Sequence, residues 1–82
     1  MKELKDALKE KNLVFGTERT IKGIRSGEVK KVFIAKNCPG NARKKIKYYA
    51  GIDKIDVFEL DANNEELGVM CKKPFSIAVL SC

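Results

Sequence analysis

Strand-like apolar segments alternate with amphipathic helical ones along this 82-residue chain. That alternation calls for an α/β fold, a three-layer α/β/α sandwich with helices on both faces of a mainly parallel sheet. Two further observations agree. Val32-Phe33-Ile34-Ala35 is continuously apolar, as a central strand covered on both faces must be. The length allows one economical domain over residues 1–82, since folding at this size buries only about 60–65% of the unfolded chain's surface. No internal repeat, linker or low-complexity segment interrupts it.

Leu4, Ala7 and Leu8 recur at helical spacing among Lys and Glu, which predicts an amphipathic helix over residues 2–11. Leu13-Val14-Phe15, ended by Gly16, predicts a short buried strand and a tight turn. Thr17 is a suitable N-cap with Glu18 in the first turn, and the helix should run through Ile21 and Ile24 to a cap at Gly27. The apolar strand 32–35 ends at Asn37-Cys38-Pro39-Gly40, dense in turn residues. Asn41 can cap the next helix, with Ala42, Ile46, Tyr49 and Ala50 on one face, Arg43, Lys44 and Lys47 pointing away, and Gly51 closing it. Residues 55–60 partly alternate and predict a strand nearer the edge. Asn63 or Asn64 starts a short helix containing Leu67 and reaching about Gly68, and Phe75 to Leu80 is the last expected strand.

Charge and composition narrow the function. The formal net charge is +6, with 17 basic and 11 acidic side chains. Residues 1–51 hold 14 basic and 5 acidic side chains, whereas residues 52–82 hold 3 and 6. A polycationic half suggests an anionic partner, most economically nucleic acid. There is no histidine, so Ser-His and Cys-His pairs, zinc-histidine sites and imidazole bases are excluded. The longest apolar runs are five residues or fewer, too short to span a bilayer, and MKELKDALKEKN does not resemble a signal peptide. Cys38, Cys71 and Cys82 are odd in number and widely spaced, which fits free thiols in a reducing cytosol, with Cys71 as a small packing residue.

Ligands of open α/β sheets gather outside the carboxyl ends of the strands. Gly16-Thr17-Glu18-Arg19 lies there, offering backbone N–H groups at a helix start. Asn37 also lies there, with an amide that both donates and accepts and so can read a base edge. Arg19, Lys22 and Ser26 share a stripe of the first helix, and Arg43, Lys44, Lys45 and Lys47 follow the second loop. Lys72-Lys73-Pro74-Phe75 sets cations beside an aromatic ring, an arrangement suited to RNA. Each feature also has a plain explanation. Gly16-Thr17 could be only a capped turn, Asn37 an Asx turn, the lysine face solvated surface, Phe75 core, and Tyr48-Tyr49 half core and half rim. The case for function rests on their convergence at one edge.

Val14-Phe15-Gly16-Thr17-Glu18-Arg19-Thr20-Ile21-Lys22, Phe33-Ile34-Ala35-Lys36-Asn37-Cys38-Pro39, Ile46-Lys47-Tyr48-Tyr49-Ala50, Glu66-Leu67-Gly68 and Pro74-Phe75, in that order, resemble the ribosomal L30e branch of the L7Ae kink-turn RNA-binding superfamily. The resemblance implies a four-stranded mixed sheet in the order 1-4-2-3 with strand 4 antiparallel, so that Phe75 falls between the Gly16 loop and Asn37. It implies binding of a kinked RNA internal loop with sheared G·A pairs. The roles carried over fall on Gly16, Thr17, Lys22, Asn37 and Phe75, and the wider RNA-binding set adds Glu18, Arg19, Pro39, Arg43, Lys44 and Lys73. The superfamily's G-T-N-E pattern reads Gly16-Thr17-Glu18-Arg19 here, replacing an amide and a carboxylate by an acid and a guanidinium. The sequence ends at Cys82, so contacts from the family's C-terminal extension are not expected.

The function expected is that of a non-enzymatic structural component of the large ribosomal subunit, binding ribosomal RNA beside neighbouring ribosomal proteins. It would be cytoplasmic, monomeric off the ribosome, without cofactor or metal and without membrane contact. The alternatives are a kink-turn protein of an RNA-modification particle or of ribonuclease P, and a protein-interaction module on the same fold. Asn37-Cys38-Pro39 and Tyr48-Tyr49-Ala50 favour the ribosomal branch.

Overall fold

The computed structural model describes residues 8, 9 and 13–82. Its elements are β1 (Val14–Phe15), α1 (Thr17–Ser26), β2 (Lys31–Ile34), α2 (Gly40–Ile52), β3 (Asp56–Glu59), α3 (Asn64–Met70) and β4 (Val79–Ser81). The helix expected over residues 2–11 lies almost wholly outside the described residues. The four strands form one sheet in the order β1-β4-β2-β3. β2 and β3 run parallel from Lys31↔Asp56 to Ile34↔Glu59. β4 is antiparallel to β2, with Phe33 opposite Leu80, and antiparallel to β1, with Phe15 opposite Leu80. β1, β2 and β3 therefore all end at the edge where β4 begins.

The period of two along the strands divides the core between the sheet's faces. Phe33, Ala35, Leu60, Leu67, Ile77 and Leu80 are buried on the α3 side, with Leu8, Leu13, Phe15, Phe58 and Cys71 packed against them. Val32, Ile34 and Val79 face the other way, onto Ile24 of α1 and Ile46 of α2. Phe33 and Phe58 stack across the strand pair at 5.1 Å between centroids. One buried polar contact, Thr20 Oγ1 to Ser81 Oγ at 2.9 Å, ties α1 to β4 and satisfies both hydroxyls.

Several local expectations are corrected. The cap of α1 is Gly16, not Thr17, and no side chain bonds there. Gly16 sits at φ 101°, ψ 156°, a region essentially confined to glycine, because its N–H must turn back to Val79 O (3.0 Å) at the strand end. Pro39 rather than Asn41 precedes α2, its ring already holding φ at −55°. Gly51 lies inside α2, which ends at Ile52. α3 runs past Gly68 to Met70, while its start is as expected, with Asn63 capping it in a reciprocal box with Glu66. Gly27, in the left-handed region, ends α1 as expected. The last strand is only Val79–Ser81, because β1 has ended at Phe15 and the chain after β2 turns away at Asn37, so residues 75–78 have no strand to pair with.

Candidate nucleic-acid interface

Four connections are stitched together at the edge where β4 begins. Gly16 N–H donates to Val79 O at 3.0 Å, Ala35 N–H to Ala78 O at 2.9 Å, Lys36 N–H to Ala62 O at 2.8 Å and Ile77 N–H to Asn64 O at 2.9 Å. The segment 75–78 thus runs between the Gly16 turn and the loop carrying Asn37, as strand 4 antiparallel requires. Rigid backbone contacts of this kind hold side chains in place without help from a ligand.

Asn37 does not form an Asx turn. Its Oδ1 accepts from Asn64 N–H at 2.8 Å and its Nδ2 donates to Asn64 Oδ1 at 2.9 Å. Because the backbone N–H can only donate, the orientation of the amide is fixed. A side-chain amide has two N–H donors and two acceptor lone pairs. One of each is used by Asn64, and one of each is left for a base edge in an exposed position. The signal for Asn64 was present only as a candidate helix start, and a local reading cannot see a partner 27 residues away.

Phe75 is 53% exposed. Its ring and that of Phe15 form a T-shaped pair at 6.4 Å and 86°, and Lys73 Nζ lies 5.2 Å from the centre of the Phe15 ring. A shallow groove runs beneath, lined by Phe15, Gly16, Thr17, Phe75, Ser76 and Ile77. The 75–76 backbone can lie there because it crosses α3 at Gly68, where any Cβ would collide with the Phe75 carbonyl oxygen.

The first helical bond of α1 is Thr20 N–H to Gly16 O at 3.1 Å, so the N–H groups of Thr17, Glu18 and Arg19 precede it and face the end of the helix. Glu18, Arg19 and Lys22 are exposed on α1, Thr17 is half-buried, and Pro39 and Lys44 are exposed at and beyond the start of α2. Arg43 is different. Its Nη2 donates to Lys36 O at 3.1 Å and reaches Ala35 O at 3.5 Å, while Nη1 lies 3.5 Å from Glu59. It braces the end of β2 and is half-buried rather than a solvated cation. Lys47 is also held by Glu59, at 3.2 Å. Cys38 and Cys71 form no disulfide. Burial pushes the Cys38 thiol up from its ordinary pKa, against the opposing pull of Arg43, and Cys71 is raised in the same way against Lys73. Neither is an activated nucleophile.

A sequence model of the ribosomal protein L7Ae/L30e/S12e/Gadd45 family matches residues 1–82. The large ribosomal subunit protein eL30 of Saccharolobus solfataricus is 38% identical over 79 residues, spanning 96% of this chain and 73% of that protein. Its counterpart in Archaeoglobus fulgidus is 37% identical over 78 residues, spanning 95% and 86%. A solved protein of unknown function from Bacillus halodurans shares the fold, with a TM-score of 0.83, 24% identity, and coverage of 92% of this chain and 74% of its own.

Proposed function

The chain belongs to the ribosomal protein L7Ae/L30e/S12e/Gadd45 family, and from that premise we propose that it is a structural, RNA-binding component of the large ribosomal subunit that grips a kinked RNA internal loop at the edge where β4 begins. The observation that carries the proposal is the exposed Asn37 amide, clamped in one orientation by Asn64, which uses one of its two donors and one of its two acceptor sites. Holding that amide before RNA arrives removes an ordering cost from binding. Sheared G·A pairs leave base edges accessible to such an amide. Beside it, Gly16 lets RNA approach the backbone closely, because nothing stands where a Cβ would be. Phe75 offers an aromatic surface to an unstacked nucleotide, and Lys22, Arg19 and Lys44 meet phosphates. The chemistry is recognition without catalysis, the partners are ribosomal RNA and neighbouring ribosomal proteins, and the location is the ribosome.

Purification of the tagged protein from cells, followed by sequencing of the bound RNA, tests this. Large-subunit ribosomal RNA should dominate, and Asn37→Asp should lose it. Enrichment of small guide RNAs or ribonuclease P RNA would move the protein to another particle. Absence of any RNA would leave the protein-interaction module.

A further inference from the structure

The solvent face of α2 carries a stripe that begins at Lys44, at the border of the edge, and continues through residues the edge does not use, Lys45, Tyr48 and Ile52. Tyr48 is 66% exposed and Ile52 61%, four residues apart on one face. Lys44 and Lys45 precede Tyr48 by four and three residues and so share its face of the helix. The cations of α2 are treated unequally. Glu59 holds Arg43 and Lys47, whereas among the described residues no carboxylate lies within ion-pair distance of Lys44 or Lys45. The ring of Tyr48 forms a T-shaped pair with Tyr49 at 5.3 Å and 79°, and Tyr49 itself packs on the core. The outcome is an exposed aromatic side chain on the same helix face as two lysines without an ion-pair partner among the described residues, on a helix whose first turn adjoins Asn37. With 1.5 Å of rise per residue, Tyr48 lies about 12 Å along α2 from that end.

We propose that Tyr48, with Lys44 and Lys45, is a second RNA subsite, which stacks an unpaired nucleotide flanking the RNA held at the edge. It rests on the proposed function for its choice of RNA as partner. An aromatic face with neighbouring ammonium groups is how single strands are held without reading sequence: the ring takes any base and the cations follow the backbone. The positive charge argues for RNA over a protein surface, which would cover Tyr48 and Ile52 but would leave two desolvated lysines unmatched.

The test uses the full chain and four probes: a blunt kinked RNA, the same RNA with a short uridine tail on either strand in turn, and free oligouridine. One tail should raise the affinity of the parent protein, by about 5- to 150-fold for one stacked base. Tyr48→Ala should remove that gain, Tyr48→Phe should keep it, and both should bind the blunt RNA as the parent does. Lys45→Ala should flatten the salt dependence of the tail's contribution, by about 0.7 in log–log slope per lost phosphate contact. The proposal is overturned if neither tail raises affinity, or if the gain survives Tyr48→Ala. It is also overturned if Tyr48→Ala binds every RNA like the parent yet fails to enter ribosomes, which would assign the face to protein. Failure of the blunt RNA to bind would refute the edge alone, and Tyr48-dependent binding of oligouridine would still support this subsite.

Discussion

Asn37 serves two partners with one amide, and its substitutions should separate them. Asn37→Ala removes both bonds to Asn64 and leaves the first N–H of α3 without its acceptor. The position is exposed, so the cost should be about 1 kcal/mol. Asn37→Asp keeps an oxygen for that N–H and places negative charge at the start of α3, where the helix dipole favours it. Its stability should stay close to that of the parent, since Asn64 can turn its own amide to donate. RNA affinity should rank the other way. Alanine loses the base contact, at about 1–3 kcal/mol, while aspartate loses the donor and also repels phosphates. Melting temperature and affinity for kinked and straight RNA should therefore give opposite orders for the two variants, with the affinity losses confined to kinked RNA. A folded Asn37→Asp protein that binds kinked RNA normally would remove Asn37 from the interface.

At the scale of elements, Gly68 couples α3 to the loop bearing Phe75. In an isolated helix Gly→Ala stabilises by about 1 kcal/mol. Here the added Cβ would strike the Phe75 carbonyl, so steric cost should win. Gly68→Ala should lower the melting temperature and, by displacing residues 75–76, weaken RNA binding as well. An unchanged or raised melting temperature would show that the loop yields freely. This coupling marks the boundary of what the sequence disclosed. The core strands were legible because burial on both faces demands continuous apolar residues, as in Val32-Phe33-Ile34-Ala35. The strand order was not, because pairing β4 between β1 and β2 is a tertiary choice, and it followed only from family resemblance. Phe75-Ser76-Ile77 has a strand's composition, yet the chain on either side has already left the sheet. Thr17 and Asn41 are good caps, displaced by one and two residues because Gly16 and Pro39 are fixed by the turns that precede them. The edge itself was legible as a cluster of motifs, but the Asn37–Asn64 clamp was not.

For the whole molecule, fold and charge balance act together. The acidic half of the sequence does not merely offset the basic half; through the single carboxylate of Glu59 it pairs with two chosen cations, Arg43 and Lys47. That makes the cations unequal in a way that composition cannot express. Each phosphate contact to paired RNA should contribute about −0.9 to the slope of log affinity against log salt concentration, on the duplex scale. Lys22, exposed on α1, should be one such contact, so Lys22→Ala should flatten the slope by about that much while leaving the melting temperature near the parent's. Arg43→Ala should do the reverse. It breaks bonds to the Lys36 and Ala35 carbonyls and an ion pair, so stability should fall by about 1–2 kcal/mol, with the slope nearly unchanged. Affinity titrations of kinked RNA across a range of salt, paired with thermal melts, distinguish the two residues. If Arg43→Ala flattens the slope as Lys22→Ala does, the guanidinium leaves Glu59 for a phosphate on binding, and its bracing role ends when RNA arrives.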